Sequence, residues 1–145
     1  MGFVQARLQT RTTPMRAAAL TAPLFALQHV VLVVGSPLPL AVALMAFLVV
    51  VNIPIRALMG FAYNRTGSLF VVGLLHAAGN GVAAGSGFGA GFLARLYPDQ
   101  PFVSLMHLLA LAVIGLVAIV VTRARLGASR RRAERATVPV PIEAA

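Results

Sequence analysis

The sequence predicts an all-α integral membrane protein of about four transmembrane helices, preceded by a short amphipathic interfacial helix. Three observations carry that expectation. Hydrophobic residues make up 59% of the 145-residue chain and charged residues only 10%, where soluble domains carry about a quarter charged. The mean hydropathy is +0.90. All twelve basic side chains are arginines, and they cluster at the ends of apolar runs, which is the topology signal of membrane proteins. That placement sets nucleic acid aside as a partner despite a net charge of +9. The chain has no cysteine, which excludes a disulfide framework, a thiolate nucleophile and a cysteine metal site.

Residues 1–16 are basic and amphipathic. Phe3, Val4 and Leu8 share a helical spacing, and Arg7 and Arg11 mark the polar side. This pattern predicts an interfacial helix over residues 1–13, broken by Pro14. A signal peptide is disfavoured: the following apolar run is long, no small-residue cleavage site closes it, and it contains His29. The first span is expected over Ala17–Val34, interrupted by Pro23, Gln28 and His29. Gly35-Ser36-Pro37-Leu38-Pro39 reads as a tight turn. The second span is expected over Leu40–Ile55, stopped by Arg56, and a polar loop then runs to Thr66 and Gly67. Ser68 is placed to cap a third span over Leu69–Ala84. The Gly-rich tract Gly81–Gly91 suits close helix approach or an unwound end; without a preceding strand or a following Lys it is no phosphate loop. A loop over Arg95–Pro101 leads to the fourth span, Phe102–Val121. The domain expectation is a membrane domain over residues 1–126 and a disordered Arg-rich tail over 127–145.

With four spans, eleven of the twelve arginines fall on one side and Arg95 alone on the other. The positive-inside rule then puts both termini in the cytoplasm, with the cell membrane as the location. The Arg tail reads as a stop-transfer signal before it reads as a nucleic-acid or anionic-lipid contact. Asn64-Arg65-Thr66 matches a glycosylation acceptor, but on the cytoplasmic side it is expected to stay unused.

Three polar features fall at membrane depth, where each costs free energy and needs a reason. His29 follows Phe25 by four residues. His76 precedes Asn80 by four, which stacks the pair on one helix face. His107 stands alone near the start of the fourth span and reads as a helix–helix hydrogen-bonding residue. His29 and His76 lie about twelve and eight residues into spans that start on the same side. At ~1.5 Å per residue their depths differ by about 6 Å, so the two histidines and Asn80 can meet in one cavity. Neutral imidazole serves as base or ligand, and an amide can donate to a developing oxyanion. Zinc is conceivable but not favoured, because a catalytic zinc takes three protein ligands. The only acids are Asp99, Glu134 and Glu143, so no carboxylate precedes Asp99.

Phe25-x-x-x-His29, then the turn Tyr63-Asn64-Arg65-Thr66-Gly67-Ser68-Leu69, then His76-x-x-x-Asn80, resembles the CPBP family of intramembrane proteases, the CAAX-protease and bacteriocin-processing (Abi) group. The resemblance spans roughly residues 2–85. Each motif alone is weak; their order, spacing and Thr-Gly-Ser turn together are fairly specific. It implies a helical membrane fold and hydrolysis of a peptide bond in a membrane-associated peptide or protein. It also implies roles: a Glu-Glu-x-x-x-Arg motif supplies the water-activating glutamate, the position of His29 assists, and those of His76 and Asn80 stabilise the oxyanion. A metal-free glutamate/histidine mechanism fits these residue types at least as well as a metalloprotease one.

The chain departs from the family at the glutamates. Gly2 to Gln9 resembles the segment directly after Glu-Glu-x-x-x-Arg, with Met1 where the Arg would stand. Either a longer chain carries the glutamates upstream, or the general base is lost, at about 10²–10⁴ in rate. As written, the expectation is an endopeptidase scaffold without its catalytic carboxylates; the alternative is a non-catalytic partner-binding or immunity-type pseudoenzyme in the lipid bilayer.

Overall fold

A computed structural model describes residues 2–83, 91–100 and 102–127, and every regular element among them is helical. Six α-helices follow in order: α1 (Gly2–Gln9), α2 (Pro14–Leu27), α3 (Leu38–Thr66), α4 (Leu69–Ala83), α5 (Phe92–Leu96) and α6 (Phe102–Val121), with a 3-10 turn over Val30–Val33 between α2 and α3. The centre of the bundle is α3, which packs along both α2 and α6.

Pro14 opens a helix rather than closing one. It occupies the first turn of α2, where its missing N–H costs nothing, and Thr13 caps that turn by accepting the Arg16 N–H at 3.2 Å. The expected first span then divides. The α-helix stops at Leu27, and His29 opens the 3-10 turn instead of continuing the coil. The β-branched Val30, Val31 and Val33 lose side-chain freedom in a helix, and the His29 ring bonds the helix's last turn, so little favours extending it. Gly35, at φ +86°, makes the corner before α3.

The second span is corrected most. Neither Pro54 nor Arg56 ends it: α3 runs unbroken for 29 residues through both, to a left-handed Gly67 cap. At ~1.5 Å per residue that is about 44 Å, well beyond a ~30 Å hydrocarbon core. The polar loop expected over Arg56–Thr66 is therefore the last third of this helix. Ser68 caps α4 as expected, accepting the Val71 N–H at 3.3 Å, and α6 matches the expected fourth span end to end.

α3 and α6 are each long and apolar enough to cross a membrane. α2 has 14 residues and α4 15, or about 21 and 22 Å. α2 and α6 bury small residues and turn large ones outward, while α3 between them buries Val51, Ile55 and Met59. In α2 the buried residues are Ala17, Ala18, Thr21, Ala22 and Ala26, while Leu20, Leu24 and Leu27 are exposed. In α6 the buried set is Ala112, Gly115 and Ala118, and Val113, Val117 and Val120 face out. Water would penalise so much exposed apolar surface; lipid accepts it, and small interfaces let helices approach closely. The closest approach is Gly115 on Pro54, where an added Cβ would run into the Pro54 carbonyl.

The chain past α6 packs back onto the bundle. Arg123–Gly127 fold back as turns, Leu126 is fully buried against Ala18 and Ala57, and the Asn64 amide donates to the Leu126 carbonyl at 2.9 Å. Asn64, the glycosylation match, is thus buried and engaged. Residues 128–145, with most of the expected tail, and residues 84–90 of the Gly-rich tract lie outside the described residues. Among the described side chains of α1, Gln5 is buried and Val4 half exposed.

Candidate active site

Phe25 is where the polar residues converge. It lies near the end of α2, and its ring centroid stands 5.1 Å from that of His29 and 5.0 Å from that of His76, the latter edge-on at 79°. The guanidinium of Arg56 lies over the same ring, 5.3 Å from its centroid. Side chains from α2, α3 and α4 thus share one aromatic hub. His29 and His76, 47 positions apart in sequence, are brought together as their depths suggested.

Each imidazole has one nitrogen committed. The Phe25 carbonyl is among the four a helix end leaves without partners, and His29 Nδ1 reaches it at 3.0 Å. A carbonyl only accepts, so Nδ1 carries the proton and the neutral ring keeps its lone pair on Nε2. His76 is set the other way. The Asn80 amide donates to His76 Nε2 at 3.1 Å, which places the proton of the neutral ring on Nδ1. One histidine therefore offers an acceptor and the other a donor. The i, i+4 spacing on α4 produces the second arrangement directly, and the halt of α2 at Leu27 produces the first.

Two cavities meet at this hub. One, of about 480 Å³, is lined by Thr21, Phe25, Gln28, Arg56, Val72 and His76, among others. The other, of about 320 Å³, is more apolar and includes His29, Asn52, His76, Asn80, Ser104 and His107 in its lining. Phe25 and His76 belong to both walls.

Two residues carry more than their sequence positions suggested. Arg56, expected as a stop signal, is 3% exposed and donates its Nε–H to Thr21 Oγ1 at 3.1 Å. His107, expected to bridge helices by a hydrogen bond, instead has Nε2 buried without a partner among the described residues, and it lines the apolar cavity. The sequence alone did not mark Arg56: it shares a helix face with Asn52, four residues earlier, only once the helix is read through Pro54.

Among the described residues, no three His, Cys, Asp or Glu side chains gather closely enough to hold a metal ion. The His29 Nδ1–H on a carbonyl leaves Nε2 able to ligate, but the lone pair of neutral His76 is taken by Asn80, so the described donors fall short of the three-ligand set of a catalytic zinc.

The helical bundle thus holds an acceptor imidazole and an amide-bonded donor imidazole against one aromatic ring. The comparison with known families says what such a chain is similar to. Residues 1–82 match the family described as type II CAAX prenyl endopeptidase, Rce1-like, and the chain belongs to that family. The match covers α1 to nearly the end of α4, so it contains His29, His76 and Asn80, whereas α6 and His107 lie beyond it. No curated protein and no solved structure matches the chain.

Proposed function

We propose that this chain forms the histidine and asparagine half of an intramembrane endopeptidase site of the CAAX-prenyl type, and that it hydrolyses peptide only when a carboxylate is supplied to that site. The observation that carries the proposal is the convergence of His29 and His76–Asn80 on Phe25 with opposite proton placements. In this reading, His29 Nε2 takes a proton from the attacking water together with the supplied glutamate. The His76 Nδ1–H and the second Asn80 amide hydrogen stabilise the oxyanion of the tetrahedral intermediate. The 145-residue chain alone has no acid before Asp99, so it is expected to be inactive.

The topology that serves this reading has four crossings: α2 with its 3-10 turn, α3, α4 and α6, with α1 at the interface and both termini in the cytoplasm. The arginine bias supports it even with Arg56 moved from a loop into the bundle. The tail beyond residue 127 then remains cytoplasmic and the cell membrane is the location.

The test is peptide release from a farnesylated CAAX peptide by purified protein in nanodiscs. The chain alone should release none. The same chain with a Glu-Glu-x-x-x-Arg segment leading into Gly2 should release the terminal tripeptide. Release at equal rates with and without the segment, or none in either, contradicts the proposal. The second reading, a non-catalytic partner-binding subunit, predicts that function survives His76→Ala in a folded variant.

A further inference from the structure

Among the described residues, Arg56 is a cation with no anion. Its Nε–H goes to Thr21 Oγ1 and its face lies on Phe25. Among the described residues nothing else bonds it, and no carboxylate pairs with it. It sits where the last third of a 29-residue apolar helix begins, with 3% of its surface exposed. A charge at such depth faces the bundle interior or a cavity and marks a ligand path or takes a partner. A ring face compensates a guanidinium only partly, and leaves the in-plane N–H fork of Nη1 and Nη2 unused.

Arg56 belongs to the wall of the 480 Å³ cavity, with Gln28 and His76. We propose that this cavity is a carboxylate-binding site, with the Arg56 guanidinium as its charged anchor and Gln28 as a further polar contact. The charge balance favours a monoanion. No second arginine lines the cavity, so a phosphate dianion would keep an uncompensated charge, whereas a carboxylate matches one planar fork in charge and shape. The adjoining apolar cavity shares the Phe25 and His76 walls. It leaves room for an apolar body next to the anchored group, so the ligand class is an amphiphilic carboxylate.

Two sources supply that chemistry: the free C-terminal carboxylate of a bound peptide, or a glutamate side chain delivered by a preceding segment. The site itself does not depend on the peptidase reading, and the probes keep the two apart. Protein in nanodiscs is titrated with N-dodecanoyl-glycine and with its C-terminal amide, which no peptidase step consumes. The acid is expected to bind about 10- to 100-fold more tightly, the range of a hydrogen-bonded charged pair. Arg56→Gln should abolish the difference. Arg56→Lys, which keeps the charge but loses the fork, should retain part of it. Circular dichroism and thermal midpoints establish which variants fold.

Repeating the titration with a Glu-Glu-x-x-x-Arg segment leading into Gly2 separates the sources. A preference that persists assigns the site to a ligand's own terminus. A preference present without the segment and lost with it assigns the site to the glutamate. Both outcomes support the site. Equal binding of acid and amide by the unmodified chain overturns it, with no variant needed. So does an acid preference that survives in folded Arg56→Gln. If the acid preference holds while farnesylated peptide is never cleaved, the carboxylate site stands and the endopeptidase reading falls.

Discussion

His29 bonds the end of its own helix with one nitrogen, and the proposed mechanism uses the other. The bond from Nδ1 to the Phe25 carbonyl fixes both the ring's position and its tautomer. In the segment-bearing protein, His29→Ala should lower the cleavage rate by about 10²–10⁴, the usual contribution of a general base or its assistant. Asn80 holds the tautomer of His76 through its amide. Asn80→Ala should cost about 10²–10³ in kcat with little change in KM, the signature of a lost oxyanion donor. Steady-state kinetics check both; a rise in KM with kcat unchanged would place Asn80 in substrate binding instead. These positions were legible because a polar pair at i, i+4 in an apolar run has few innocent explanations. Arg56 was not. A charge at the end of an apolar run and a charge inside a longer one look alike until the helix boundary is known. Pro54, two residues earlier, pointed to the wrong boundary.

α2 and α6 meet α3 through small residues, around a core of Val51, Ile55, Met59 and Val72. Gly115 meets the Pro54 carbonyl so closely that a methyl group cannot be added without moving α6 from α3. Gly115→Ala should destabilise the bundle by about 1–3 kcal/mol, as overpacking does. Leu126, buried between the ends of α2, α3 and α6, should cost about 2–5 kcal/mol when cut to Ala. Denaturant unfolding in detergent checks both, and an unchanged midpoint for Gly115→Ala would mean the two helices separate more easily than their packing shows. At this scale α6 was readable to the residue, since its apolar run is bounded by Pro101 and Arg123. Pro14 was misread because proline ends one helix and starts the next equally well. The fold-back at Arg123–Gly127 left no pattern at all: its order comes from Asn64 and Ala57, more than sixty positions away.

The described residues face their surroundings largely with apolar side chains, and the proposed crossings would set which side the site opens to. The chain has no cysteine, so single introduced thiols report topology cleanly. Thr12→Cys and Thr66→Cys should react with a membrane-impermeant maleimide only from the cytoplasmic side, and Ser36→Cys and Asp99→Cys only from the other. Labelling of Ser36→Cys and Thr66→Cys from the same side would remove α3 as a crossing. Composition alone made the membrane class legible. The meeting of α2 and α4 at Phe25 was legible only as a depth match, because the contact is made across α3, whose length was underestimated.

The central claim is that His29 and the His76–Asn80 pair serve one site. A double-mutant cycle on cleavage of the farnesylated peptide, in the segment-bearing protein, tests it most directly. Groups that act as a unit are strongly non-additive. The account predicts that His29→Ala with His76→Ala is no slower than the worse single variant, within about threefold. Losses that multiply, or single variants that cleave at the unmodified rate, would contradict it.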